Sequence, residues 1–258
     1  MTVPRPATPA DGVAWITGAS SGIGREVARQ MAADGWTVWV TGRDAAALEG
    51  LSKEAGGRIV AAPGDVTDAS AMASIVDRIE ASGRPLALVL LNAGIYLPVS
   101  AATLQVEPFE RSFSVNLSGT VNALVPALAA MRGRRRGQIV IVSSVTGFGG
   151  LPTSAAYGAT KAGLTNLAES LRFDLERMGI LIQVVHPGFV DTPATRNNSF
   201  PMPFIIPVEE AARRIRAGMA RRAFEITFPR RFTFALKALR LLPYRLYFAV
   251  VGRVTGGG

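Results

Sequence analysis

Val13-Ala-Trp-Ile-Thr17-Gly-Ala-Ser-Ser-Gly-Ile-Gly24, continued by Arg-Glu-Val-Ala-Arg-Gln-Met-Ala-Ala33, is the stretch that decides the fold. Five apolar or β-branched residues read as a buried strand. The spacing from Ile23 to Ala33 is helical. Between them lies the turn Gly18-x-x-x-Gly22-x-Gly24. Glycines there let a backbone approach a pyrophosphate closely, and the helix N-terminus behind them favours negative charge. An ordinary tight strand-to-helix turn is the competing reading, because the spacing departs from the common G-x-G-x-x-G pattern.

Outward from this unit the alternation continues. Strands are expected at Thr37–Thr41, Arg58–Ala62, Leu86–Leu91, Gln138–Ser143, Leu181–His186 and Phe224–Phe228. Helices are expected after Asp44, over Ala69–Glu80, Pro108–Met131, Ala155–Met178 and Val208–Arg221. Strand–helix alternation predicts an α/β, Rossmann-like, doubly wound and mostly parallel sheet with helices on both faces. Right-handed crossovers place a ligand at the carboxyl ends of its strands. The chain of 258 residues, 48% hydrophobic, fits one domain with a sizeable core. The expected division is a flexible N-terminal tail over 1–10, one α/β domain over 11–228, and a basic, apolar extension over 229–258.

Composition narrows the chemistry. There is no Cys and a single His186, which argues against a disulfide framework and a zinc site. Met1–Asp11 lacks an apolar core of the kind a signal peptide carries, so a cytoplasmic location is expected. The net charge of +9 is uneven. Residues 211–258 carry eleven Arg or Lys against Glu225 alone, leaving 17 basic and 18 acidic residues elsewhere. Arg132–Arg136 reads as a solvated basic turn. Within Phe232–Val251, Lys237, Arg240, Arg245 and a central Pro243 make a spanning helix unfavourable, and two short interfacial helices broken at Pro243 are expected. The basic excess reads as a solvated face, or as a site for an anionic membrane surface or an acidic partner, and the apolar side could instead pack on the protein's own domain or on a second subunit. No nucleic-acid recognition motif accompanies the charge.

The chemistry-bearing residues fall at strand ends and on one helix. Tyr157-Gly-Ala-Thr-Lys161 sets a phenol and an ammonium one helical turn apart. Positive charge beside a phenol favours its ionised form and lowers its pKa from roughly 10. Ser144 ends the fifth main strand and can donate to a substrate oxygen. Asn92-Ala93-Gly94 ends the fourth, and Asn116 is an amide within a long apolar helix that must find a partner. His186 reads as structural or cleft-lining. At the second strand's end stand Gly42, Arg43 and Asp44. A carboxylate there commonly takes ribose hydroxyls, whereas an Arg fork suits a 2′-phosphate. Asp44 is preferred as a helix cap, so NADP(H) is expected over NAD(H).

Taken together, Thr17–Gly24, Asp65-Val66, Asn92-Ala93-Gly94, Asn116, Ser144, Tyr157, Lys161 and Pro187-Gly188 with Thr192 resemble a short-chain dehydrogenase/reductase of about 250 residues, over residues 11–228. The resemblance implies a general acid or base at Tyr157, and a Lys161 that lowers its pKa and binds the nicotinamide ribose. It implies carbonyl polarisation by Ser144 and a water held by Asn116. Cofactor contacts are implied at Gly18, Ser20, Ser21, Gly22, Ile23, Gly24, Arg43, Asp65, Val66, Asn92, Ala93, Gly94, Pro187, Gly188, Val190 and Thr192. A small-molecule carbonyl or alcohol substrate is expected, in a homodimer or homotetramer whose dimer face is built by the helices of Asn116 and Tyr157. The variable lid falls at 189–207, and with Phe148-Gly-Gly-Leu151 opposite it an apolar pocket is expected. Two alternatives to the enzyme are a catalytically idle NADP-sensing regulator and a membrane-surface adaptor using the basic tail.

Overall fold

A computed structural model describes residues 4–196 and 202–255. Seven strands form one sheet: β1 (Val13–Thr17), β2 (Val38–Thr41), β3 (Ile59–Ala61), β4 (Leu86–Leu91), β5 (Gly137–Val142), β6 (Ile180–Pro187) and β7 (Glu225–Phe228). Their order is β3-β2-β1-β4-β5-β6-β7, and every pairing is parallel. The apolar runs are explained by cover on both faces. On one face α1 (Gly22–Ala33), α2 (Ala45–Glu54) and α7 (Val208–Met219) pack over Ile16, Val40, Leu88 and Val140. On the other, α3 (Ala69–Ala81), α5 (Gly119–Arg132) and α6 (Ala155–Arg177) cover Trp15, Val89, Ile139 and Ile182. The chain reverses its winding between β1 and β4, so a crevice opens outside their carboxyl ends.

Three sequence readings need amending. The long helix expected over Pro108–Met131 is α4 (Glu107–Ser112) joined to α5 by a π-helical turn, Phe113–Ser118, which carries Asn116. By length and composition alone, Glu107–Arg132 could cross a membrane; here it packs against α3. The basic turn Arg132–Arg136 is structural as well as solvated. Arg134 pairs with Glu80, Arg135 donates to the Arg177 carbonyl, and Arg136 pairs with Asp11. That last pair bears on the expected loose tail. Asp11 also takes Arg5 and the Thr8 amide, Ala7 N donates to Gln138 Oε1, and residues 4–11 are thereby tied to the sheet. The long-range partners Arg136 and Gln138 lie 125 and 131 residues away, so no local pattern announced them.

Beyond β7 come α8 (Arg230–Arg240) and α9 (Tyr244–Thr255), two helices broken at Pro243 as expected. Their inner side packs on the domain. Thr233, Tyr247 and Val251 are buried, and the Tyr247 hydroxyl donates to the Gly150 carbonyl at 2.8 Å.

Candidate active site

The crevice at the β1/β4 switch is a cleft of about 500 Å³. Its floor is the glycine turn. Gly18 and Gly22 have φ of 67° and 55°, a left-handed conformation that side chains disfavour. A Cβ at Gly18 would also lie 2.7 Å from Ala93 Cα, and one at Gly24 would lie 2.4 Å from the Gly18 carbonyl oxygen. The turn is held from below by Asn92, whose Nδ2 donates to the Thr17 and Gly18 carbonyls, both at 3.1 Å. Thr17 Oγ1 in turn accepts from the amides of Asn92 and Ala93. α1 begins at Gly22 with no side chain capping it. Its first amides therefore face the cleft without an internal partner, which is what a pyrophosphate requires.

At the end of β2, Gly42 offers no carboxylate, and Ser20 Oγ occupies the place where its side chain would begin. Arg43 is exposed at the cleft wall. Asp44 caps α2, accepting the Ala47 amide at 2.9 Å. Asp65 is engaged as well, by the Thr67 amide and hydroxyl. The lining fits a dinucleotide: the helix amides could take a diphosphate, Ser20 and Arg43 the ribose end, and Val66 an aromatic base.

Ser144, Tyr157 and Lys161 meet at the other end of the cleft. Ser144 follows β5 and opens a short helical turn, its Oγ accepting the Thr146 amide at 3.2 Å. The Tyr157 hydroxyl is hydrogen-bonded to Ser144, and its ring packs edge-on against Tyr96 at 5.3 Å. Lys161 is 3% exposed, and its Nζ donates to the Val142 carbonyl at 2.8 Å. The electrostatics differ from the sequence expectation. Burial pushes the Tyr157 phenol up to about 12, only partly offset by the Ser144 hydrogen bond. Burial brings Lys161 down to about 8. Desolvation outweighs mutual attraction, because Lys161 Nζ is turned toward Val142 and sits 5.4 Å from the phenol ring centroid. Tyr157 therefore keeps its proton across the neutral range.

Of the site residues named from sequence, all line the cleft except Gly24 and Asn116. Gly24 supports the turn from beneath. Asn116 is fully buried behind Gly94. Its Nδ2 donates to the Ile95 carbonyl and Thr160 Oγ1, while Oδ1 accepts the Ile95 amide. Its Oδ1 has no second protein donor among the described residues. His186 does not line the cleft. Its ring is 2% exposed, with Nε2 3.0 Å from Thr165 Oγ1 and Nδ1 2.8 Å from Glu225 Oε1. His186 beside it, with help from Lys237, holds Glu225 down at about 2. The flank Phe148–Leu151 is also displaced from the expected place. Phe148 packs on His186, and with Leu151 it borders a small separate cavity under Leu236, Arg240 and Tyr247. Contributors missed from sequence include Ile95 and Tyr96 in the wall and Thr17 beneath the turn. Tyr96 follows Asn92-Ala-Gly by two residues, and nothing in its local pattern marks it. The lid is closed at its base by a bridge between Val190 and Ile206, and Phe204 and Phe189 both pack on Phe232 of α8. Residues 197–201 of that lid lie outside the described residues.

Comparison with known proteins agrees with this geometry. Residues 12–201 match the model of the short chain dehydrogenase family. An uncharacterised oxidoreductase of Myxococcus xanthus is 36% identical over 244 residues, covering 93% of this chain and 96% of that protein. The 3-oxoacyl-[acyl-carrier-protein] reductase MabA of Mycobacterium tuberculosis is 32% identical over 181 residues, covering 70% of each. Among solved structures, an actinorhodin polyketide ketoreductase with NADPH superposes with a TM-score of 0.76 at 26% identity, over 86% of this chain and 97% of that one.

Proposed function

The chain belongs to the short-chain dehydrogenase family and is an NAD(P)-dependent oxidoreductase, and we propose that it interconverts a carbonyl and an alcohol using NADP(H), with Tyr157 as the proton donor. One observation carries this reading. A protonated phenol, hydrogen-bonded to Ser144 and backed by a buried Lys161, stands in the same cleft as an uncapped helix N-terminus. When bound, a reduced nicotinamide would supply the hydride. The rest falls to the chain. Ser144 holds the substrate oxygen where negative charge develops. Tyr157 delivers its proton to that oxygen, and Lys161 stabilises the phenolate left behind. A phenol pushed up to about 12 holds its proton near neutrality, the form that a donor to the substrate oxygen requires.

Gly42, Arg43 and the capping role of Asp44 support the 2′-phosphorylated cofactor. The substrate proposed is a ketone in an apolar molecule. Ile95, Tyr96 and Val190 in the cleft support this, as do the relatives named as 3-oxoacyl and polyketide reductases. A second copy is proposed to dock on the helices of Asn116 and Tyr157, where Phe113, Val121, Val125 and Phe173 stand exposed. The test is NADPH oxidation over a panel of ketones, using cofactor deuterated at the transferred position. Alcohol carrying one deuterium on the former carbonyl carbon is expected. Absence of turnover across the panel, or unlabelled alcohol, would count against the proposal.

A further inference from the structure

α8 and α9 have two sides of different character. The inner side is committed to the domain through Thr233, Tyr247 and Val251, and through Phe232 against Phe189 and Phe204. The outer side is left to solvent. Leu241 is 87% exposed, and Tyr244, Leu246, Phe248, Val250 and Val254 are exposed beside it. Arg245 and Arg253, also exposed, lie eight residues apart and so share one stripe of α9 with Ala249. Tyr244 and Phe248, stacked at 5.8 Å, flank that stripe on one side, and Leu246 and Val250 flank it on the other. No Asp or Glu occurs after Glu225, while Arg230, Arg231, Lys237, Arg240, Arg245 and Arg253 do. Among these cations Lys237 is paired with Glu225.

This distribution selects among occupants. A second copy meeting the face symmetrically would set Arg245 and Arg253 against their own copies, with no carboxylate on either helix to offset them. An anionic bilayer satisfies both components at once. Its phosphates take the guanidinium groups, and its acyl boundary takes the aromatic and aliphatic flanks. We propose that the outer face of α8 and α9 is a docking surface for an anionic lipid membrane. Because Phe232 of α8 also packs on the lid residues Phe189 and Phe204, docking would hold the substrate end of the cleft beside the bilayer.

The test is co-sedimentation of the full-length protein with vesicles of phosphatidylcholine alone or mixed with phosphatidylglycerol, at low and near-physiological salt. Binding to the mixed vesicles, weakened by salt and by removal of phosphatidylglycerol, is expected. Arg245→Gln with Arg253→Gln should weaken it about 10–30-fold, as two headgroup-level cations are removed. Leu246→Ser with Phe248→Ser should weaken it comparably at constant charge. Both pairs are exposed, so unchanged melting temperatures are expected; the salt and lipid dependence of the wild type stands without any variant. Failure to bind mixed vesicles at low salt would overturn the proposal. So would equal binding to both vesicle types, or a wild-type dimer that Leu246→Ser with Phe248→Ser converts to monomer without any vesicle binding. None of these outcomes depends on catalytic turnover.

Discussion

Replacing Arg43 by Ala should change the choice of cofactor more than the folding of the protein. Arg43 is exposed, and Asp44 beside it is already committed to the Ala47 amide, so that carboxylate offers Arg43 little competition for a phosphate. Gly42 carries no carboxylate that could take the ribose instead. A hydrogen bond between charged partners contributes about 1.5–3 kcal/mol. Exposure and screening favour the lower half of that range, which corresponds to roughly 10–40-fold in Kd. The assay is fluorescence titration of wild type and Arg43→Ala with NADPH and with NADH. NADPH should weaken by that factor, NADH should change less than about twofold, and added salt should narrow the wild-type preference. Wild type preferring NADH, or both cofactors weakening equally in the variant, would refute the reasoning.

Further outcomes follow from the same geometry. Lys161, brought down to about 8, loses its charge as pH rises through that value, so kcat/KM for reduction should fall above about pH 8; a profile flat to pH 10 would contradict the role given to its ammonium. Thr17→Val removes the hydroxyl that accepts the Asn92 and Ala93 amides, and should cost about 2–4 kcal/mol in denaturant unfolding. Glu225, held at about 2, is depressed below its unfolded value. Its contribution, about 2 kcal/mol, should therefore be present above roughly pH 4.5 and fade as pH falls toward 2, so the melting-temperature gap between wild type and Glu225→Gln should shrink with acidification.

The fold was legible because its signals are local. Apolar runs bounded by glycine and polar residues mark buried parallel strands, and Asp44 before an Ala-rich segment marks a cap that the structure contains. The Tyr157–Lys161 spacing needed only helical geometry. What escaped depends on contacts remote in sequence. The π-turn at Phe113–Ser118 keeps the apolar periodicity of a helix, so the pattern cannot reveal it. The direction of Phe148 and Leu151 is set by α8 and α9, nearly a hundred residues later. The phenol's acidity was misjudged because a neighbouring cation is visible in sequence, whereas the desolvation that outweighs it is not.

The central claim is that Tyr157 gives the proton. The most direct measurement is the single-turnover rate of ketone reduction, with saturating NADPH, in wild type and Tyr157→Phe, alongside NADPH titration of both. Phenylalanine keeps the ring that packs on Tyr96 and removes only the hydroxyl bonded to Ser144. The account predicts a rate lower by about 10²–10⁴-fold with NADPH affinity nearly unchanged. A variant that reduces the ketone at close to the wild-type rate would contradict it.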